Sequence, residues 1–336
     1  MYSIVRLTVA TPKAKAGVST KIGSVKIGIS ACLLGQPVRY NGGHKRSSLC
    51  TEMLARYFEY VAICPEAAIG LGTPRQPIRL VGDPDNPRAV GTVDFQHDVS
   101  EALTQYGEHV AAQLDDINGY ILMQKSPSCG MERVKVYQEN GQPAAGSGRG
   151  LFAAALMRAR PELPVEEEGR LQDPVLQENF ITRVFAHADW QQLQRSGLTR
   201  HALIRFHERY KYQLMASNRE QYQLLGRAVA QCAATPLAEF APAYFTQLMS
   251  ALKRPASRGS HSNVLQHLAG YLKRALSRPE KQELQQLIEQ YRLGHVPLVV
   301  PMTLLKHHFR RHPDLYIARQ TYLQPHPEEL DLRNAL

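Results

Sequence analysis

Three of the five cysteines each follow a short apolar, strand-like run and sit in a loop of turn-forming residues. Val25-Lys26-Ile27-Gly28-Ile29-Ser30-Ala31 leads to Cys32. Tyr60-Val61-Ala62-Ile63 leads to Cys64-Pro65-Glu66. Tyr120 to Lys125 leads to Ser126-Pro127-Ser128-Cys129-Gly130. In an open parallel sheet the loops after the strands share one edge, where ligands bind. Three thiols far apart in the chain are therefore expected to meet. Soft sulfur donors select zinc, copper(I) or iron–sulfur clusters, and three ligands leave one coordination position open, as catalytic metals need. Spacing alone leaves zinc as an alternative. Cys50 and Cys232 lie in helical patterns and read as small buried hydrophobes.

The first half alternates strand and helix signals. A helix is expected from about Ser48, with Leu49, Met53, Leu54, Tyr57 and Phe58 at helical spacing. A second is expected near Asp98, where Asp98-x-x-Glu101 resembles a capping pair. A third is expected over Leu151 to Arg160, after Gly146-Ser147-Gly148-Arg149-Gly150. Such a loop can cradle phosphate at a helix start, but this one lacks a P-loop lysine and reads first as a flexible lead-in. The alternation predicts an α/β Rossmann-like domain with a parallel sheet.

Residues 161–174 hold Pro161, Pro164, Pro174, Gly169 and the run Glu166-Glu167-Glu168, which is linker composition. Beyond it the strand signals stop. Phe180–Leu193, Thr199–Ala216, Arg219–Ala233, Leu237–Leu252, Asn263–Leu276, Glu280–Leu293 and Val300–His312 read as helices, broken by Pro255, Pro279 and Pro297, so the second domain is expected to be an all-α helical bundle.

Charge is unevenly placed. From Val175 onward there are 21 Lys+Arg and 12 Asp+Glu; the preceding residues hold 40−21=19 and 30−12=18. Ten of the 13 histidines also lie after Pro174. A basic half with clustered Lys and Arg is the electrostatic footprint of a phosphate-binding partner, here nucleic acid, against the plainer reading of a solvated surface. Five cysteines without framework spacing fit a reducing, cytoplasmic setting. The longest apolar runs, such as residues 296–305, fall short of the about 20 residues a spanning helix needs, so no membrane role is expected. Residues 1–24 carry Arg6, Lys13, Lys15 and Lys21 and no acid, and read as a basic extension rather than an export signal.

Four stretches are more specific. Ser30-Ala31-Cys32-Leu33-Leu34-Gly35, then Val38 to Lys45 with Asn41-Gly42-Gly43-His44, then Cys64-Pro65-Glu66 with Gly70-Leu71-Gly72-Thr73-Pro74-Arg75, then Lys125 to Gly130 together resemble the thiouracil desulfidase family. The resemblance runs over about residues 26–160. It implies a [4Fe-4S] cluster held by Cys32, Cys64 and Cys129, with one iron free of protein ligands. It implies Glu66 as general base for water attacking the thiolated carbon, and Ser126 as an active-site serine that relays a proton or holds the pyrimidine. Plainer roles for these two are a cap and a turn. Lys45, Arg46 and Arg75 are candidates to hold substrate or its phosphates. Asn41 stands where relatives commonly carry Asp, and takes a turn or hydrogen-bonding role among the substrate-side residues.

The second half is similar to the helical domain often fused to these desulfidases, through Phe206-His207-x-x-Tyr210-Lys211, the stretch Lys253 to His267, and Tyr291-Arg292-x-Gly294-x-Val296-Pro297-Leu298. Two-domain members of this type resemble RNA 4-thiouridine desulfidases. The implied substrate is 4-thiouridine in tRNA, with no obligate protein partner. The alternatives are a desulfidase of free thiouracil or another small thiolated pyrimidine, and a zinc-stabilised RNA-binding protein without catalysis. The expected RNA face comprises Arg254, Arg258, His261, Lys273 and Arg274, with Lys306, Arg310 and Arg311 beside it. The expected layout is a basic extension at 1–24, the iron–sulfur desulfidase domain at 25–165, a linker at 166–178, the helical domain at 179–325 and a tail at 326–336.

Overall fold

A computed structural model describes residues 25–336, so the expected basic extension lies outside the described residues. The chain falls into two compact units that divide between Gln172 and Asp173. The first is α/β and the second is helical, as the sequence predicts.

The first unit is built on two sheets. One contains β1 (Val25–Ser30), β2 (Phe58–Ile63), β5 (Gly119–Leu122) and β8 (Val165–Glu167), in the order β2-β1-β5-β8, with every neighbouring pair parallel. All four strands are short and mostly buried, and β1 and β5 read as apolar runs rather than alternations. Gly28 admits the neighbouring strand closely, since a Cβ there would lie 2.4 Å from the Tyr120 ring. The second sheet was not legible in the sequence. It contains β3 (Ile78–Asp83), β4 (Asn86–Gly91), β6 (Val134–Tyr137) and β7 (Pro143–Gly148), in the order β4-β3-β6-β7. Its β3–β4 and β6–β7 pairs are antiparallel hairpins joined by the parallel pair β3–β6.

Three helices accompany the sheets: α1 (Pro65–Ala68), α2 (Ser100–Gln113) and α3 (Leu151–Ala159). The helix expected from Ser48 is instead a π-turn, Leu49–Met53, followed by a 3₁₀ turn, Leu54–Arg56, and Phe58 already belongs to β2. The Asp98–Glu101 capping pair does not form. Asp98 accepts the Ser100 N–H, while Glu101 accepts from Gln105 one turn on.

The stretch read as a linker is structured. Val165–Glu167 is the buried edge strand β8, and α4 (Pro174–Arg195) begins within the same stretch, with Asp173 accepting the N–H groups of Val175 and Leu176. The acids are retained because each has a partner. Glu166 pairs with Arg170, Glu167 accepts from the Met131 and Glu132 N–H groups, and Glu168 accepts from Ser47 Oγ.

The second unit continues with α5 (Arg200–Ser217), α6 (Arg219–Ala230), α7 (Leu237–Leu252), α8 (Arg258–Tyr271), α9 (Arg278–Arg292) and α10 (Val299–Arg311). Helices α8 and α9 start earlier than apolar spacing predicts. Ser257 with Ser260 and Ser277 with Glu280 form capping boxes, and Pro279 opens α9 instead of breaking it. One core packs around Trp190, stacked on Phe245 at 4.7 Å. The other gathers Leu265, Leu268, Ile288, Leu305 and Tyr322. Residues 326–336 are no loose tail: Arg333 is buried, donates to Glu178 at 3.0 Å, and the Leu336 carbonyl accepts the Leu298 N–H. Burial works against ionising Glu178, but the guanidinium of Arg333 and the ring of His326 outweigh it and hold the carboxyl at about 2. Among the described residues no helix is long and apolar enough to cross a membrane.

Candidate active site

The three parallel strands β1, β2 and β5 end at one edge, and the loops after them deliver Cys32, Cys64 and Cys129 to a single cavity of about 440 Å³. Cys32 lies in a 3₁₀ turn, Ala31–Leu34, whose end is fixed by Gly35 N–H and Lys45 N–H on the Cys32 carbonyl, at 3.2 and 2.9 Å. Cys64 stands at the cap position of α1, where Pro65 supplies the first-turn geometry.

Cys129 depends on a longer chain of supports. The Ser126–Gly130 loop closes on itself through Gly130 N–H to the Ser126 carbonyl at 2.8 Å. The start of α3 then grips it: Gly150, Leu151 and Ala153 N–H groups donate to the carbonyls of Gly130, Pro127 and Ser128 at 2.8, 3.1 and 3.1 Å. Those donors are spent on the loop, which removes the phosphate-cradle reading of the Gly146–Gly150 stretch. Residues 143–148 form β7 instead. Gly150 is required where it stands, since a Cβ would lie 2.5 Å from the Ser128 carbonyl carbon.

All three thiols are buried or nearly so, and this sets their acidity. Burial pushes the Cys32 thiol up to about 11, and the neighbouring Cys64 adds to it. Burial also raises Cys64. It raises Cys129, where Cys64 and then Cys32 push further. Three thiols that oppose one another's ionisation fit a shared soft cation, because coordination deprotonates a thiol outright. Three soft donors lining one cavity suit zinc or an iron–sulfur group.

Glu66 and the hydroxyls of Ser126 and Ser128 form one hydrogen-bonded series in the cavity, which Ser30 and Tyr40 also line. Glu66 Oε2 accepts from both Arg75 Nη2 at 2.7 Å and Nε at 3.0 Å, an ion pair on one carboxylate oxygen whose side chains are 15% and 6% exposed. Glu66 Oε1 accepts from Ser128 Oγ at 2.5 Å. Ser126 Oγ lies 2.9 Å from Ser128 Oγ. A hydroxyl has one hydrogen, and that of Ser128 goes to Glu66, so Ser126 donates to Ser128. The lone pairs of Ser126 accept the Ser128 and Cys129 N–H groups, at 3.3 and 3.1 Å.

The other sequence candidates divide. Lys45 lines the cavity. Arg75 lines it too, but its guanidinium is committed to Glu66 and the Val38 and Gly72 carbonyls, so it positions Glu66 and has no donor spare for a substrate phosphate. Asn41 and Arg46 do not line the cavity: Asn41 Oδ1 accepts the Gly43 N–H in a turn, and Arg46 is exposed beside Glu52. Ser128, Arg39 and Lys125 line the cavity and were missed. Ser126 and Ser128 flank the same proline, and one sequence gives no means of ranking them; the positive φ of 57° at Lys125 also leaves no trace in residue type.

On the expected RNA face, Arg254, Lys273 and Arg274 are exposed. His261 is not available: it is 4% exposed, its Nδ1 meets Tyr322 Oη at 2.8 Å, and burial holds its ring down at about 4, hence neutral. Arg258 donates to the Tyr291 and Val296 carbonyls and lies over the Tyr291 ring, a structural role. Lys306 and Arg311 pair with Glu328 and Glu280, while Arg310 is exposed.

Comparison with known proteins gives two regions. Residues 27–168 match the family model described as 2-thiouracil desulfurase, and residues 211–327 match the one described as a protein of unknown function, DUF1722. The protein YbgA of Escherichia coli (strain K12) is 33% identical over 159 residues, which is 47% of this chain and 94% of that protein. YbbK of Bacillus subtilis (strain 168) is 31% identical over 146 residues, 42% of this chain and 95% of that protein. The solved structure of a [4Fe-4S]-dependent thiouracil desulfidase, TudS, has 35% identity, covers 44% of this chain and 94% of that one, and aligns with a TM-score of 0.34.

Proposed function

The chain belongs to the 2-thiouracil desulfurase family, enzymes that cleave C–S bonds, and from that premise we propose that it removes the sulfur of 4-thiouridine in tRNA, using a [4Fe-4S] cluster held by Cys32, Cys64 and Cys129. The observation that carries this reading is the meeting of those three thiols with Glu66, Ser128 and Ser126 in one cavity.

Bound by three thiolates, the cluster supplies an iron with an open position, a Lewis acid suited to soft thiocarbonyl sulfur. The chain supplies the remainder. The overall change is hydrolysis: a C=S group and water give a C=O group and hydrogen sulfide, with no change in electron count. Water adds at C4 of the pyrimidine and needs a base. Glu66 is that base, with Arg75 fixing one carboxylate oxygen so that the other faces the hydroxyls. The Ser126–Ser128–Glu66 series hands a proton along three oxygens at 2.9 and 2.5 Å, so the proton taken by Glu66 can return to the departing sulfide without bulk water. Lys45 and Lys125, at the rim, face the anionic substrate.

The tRNA assignment rests on the charge balance. The excess of Lys and Arg sits in the helical half, which suits a large phosphate-rich substrate better than a free base. The test is an anaerobic incubation of iron-loaded protein with thiolated tRNA, followed by digestion and nucleoside analysis. Uridine is expected to appear as 4-thiouridine disappears, with one sulfide per base. Turnover of free thiouracil with tRNA left intact would assign the smaller substrate. A colourless, zinc-loaded protein that binds RNA and turns over neither would remove the enzymatic reading.

A further inference from the structure

A second groove, of about 550 Å³, opens onto the cavity and shares Ile78, Lys125 and Pro127 with it. It lies on the second sheet, within the desulfidase unit. Its cations are Arg79 of β3, Lys135 of β6, and Lys125 and Arg133 in the loops, and no acidic side chain lines it among the described residues.

The groove gathers this positive charge with no acid facing it among its lining residues. Leu80 pairs with Val136 across the parallel β3–β6 ladder, and both face inward, 0% and 1% exposed. By strand alternation Arg79 and Lys135, each one step back from that pair, belong to the opposite face, and both line the groove. Adjacent like charges on one sheet face destabilise it. Neither has an ion-pair partner among the described residues; Arg133 has only Glu132, at 3.4 Å, which Arg170 also holds at 2.8 Å. Arg79 is held between two aromatic rings, 4.8 Å from the Phe95 centroid and 5.1 Å from that of Tyr137, and its buried Nε has no hydrogen-bond partner. Phe95 itself is 54% exposed. Lys125 and Arg133, which line the groove from loops, both adopt positive φ, 57° and 53°, a conformation uncommon outside glycine.

We infer that this groove holds the sugar–phosphate chain next to the reacting nucleotide, so that the desulfidase unit itself recognises a single-stranded RNA segment. The inference rests on the reading of a thiolated base within RNA. A free thiopyrimidine carries no phosphate and would leave four cations unused. A base extruded into the cavity drags its flanking phosphates to the rim, which is where Lys125 begins the row. The exposed ring of Phe95 offers a stacking face to a neighbouring base.

The test compares full-length wild type with Arg133→Glu/Lys135→Glu, both exposed positions. The control is Arg56→Glu/Arg158→Glu, which reverses two exposed arginines near the start of β2 and the end of α3, at the edge away from the cavity. Binding of an unmodified single-stranded RNA oligonucleotide is read by fluorescence anisotropy against salt. The groove variant is expected to lose at least about tenfold in affinity, and its log K against log salt slope to become shallower by about 1.4, two phosphates' worth. The control should stay within about twofold. Unchanged affinity and slope in the groove variant, or an equal loss in the control, would overturn the inference. Turnover of thiolated RNA and of free 4-thiouridine is measured in parallel. If wild type converts neither, the proposed function falls, while the anisotropy still decides the groove.

Discussion

At the scale of single residues, the active-site argument turns on which hydroxyl touches Glu66. Ser128 donates to Glu66, and Ser126 stands one step behind while also capping the Cys129 loop. Ser128→Ala removes the hydrogen bond and leaves the loop's N–H groups satisfied. It is expected to keep iron content and lower kcat by about 10²-fold, the low end for a positioned proton-transfer group. Ser126→Ala is expected to lower iron content as well, because the Cys129 N–H loses its acceptor. Iron analysis beside single-turnover kinetics separates the two, and equal iron loss in both would make Ser128 a loop residue only.

His261 yields a pH prediction of the same grain. Its folded-state ring is held near 4 by burial, against about 6.5 unfolded, so the unfolded chain binds more protons between those values. The stabilisation is complete above 6.5 and is lost as pH falls toward 4, by about 3 kcal/mol in total. The one tryptophan, Trp190, lies in the helical unit and reports its urea unfolding. His261→Gln should flatten the dependence in that window. The histidine was misassigned from sequence because it sits among exposed-type cations. Its spacing to Val264, Leu265 and Leu268 marks the inward face of α8, and that periodicity was the signal available.

At the scale of elements, the thiol site was readable because strand, turn and cysteine recur three times, and a parallel sheet sends such loops to one edge. What supports the site was not readable. The Glu166–Glu168 run looks solvated until its partners on distant loops are known, and those partners make it an edge strand that carries Met131 and Glu132 beside the Cys129 loop. The second sheet escaped notice because two of its four strands, β4 and β7, lie in loop-like stretches rich in Pro, Gly and Asn, with Pro87 and Pro143 inside them, and β6 is only four residues long. The glycine before α3 gains its meaning only from the loop packed against it. Gly150→Ala places a methyl carbon against the Ser128 backbone, which cannot step aside as a side-chain tip can. It is expected to cost about 2 kcal/mol, within the range for overpacking, and to reduce iron bound per chain. Thermal unfolding and iron analysis check both; wild-type iron with wild-type stability would mean that α3 does not hold the cysteine loop.

At the scale of the whole molecule, chemistry and charge are carried by different units. The α/β unit holds the cavity, with a balance near neutral, and the helical unit holds most of the net positive charge. That division was legible from composition, since charge counts do not depend on knowing the fold. Which of the expected RNA-face residues are engaged within the fold was not: His261 is buried, Arg258 bonds two carbonyls, and Lys306 and Arg311 pair with acids, while Arg254, Lys273, Arg274 and Arg310 are exposed. If these bind phosphate, tRNA affinity must fall with salt, and each lost contact must reduce the slope of log K against log salt by about 0.7 to 0.9, according to whether the contacted RNA is single- or double-stranded. Lys273→Glu/Arg274→Glu, at two exposed neighbours beyond the end of α8, is expected to weaken tRNA binding several-fold and flatten that slope by about 1.4 to 1.8, while conversion of free 4-thiouridine serves as the internal reference. Filter binding across a salt series reads the slope directly. A slope equal to wild type's would place the RNA contacts of the helical unit elsewhere, and the charge asymmetry would then reflect a solvated surface.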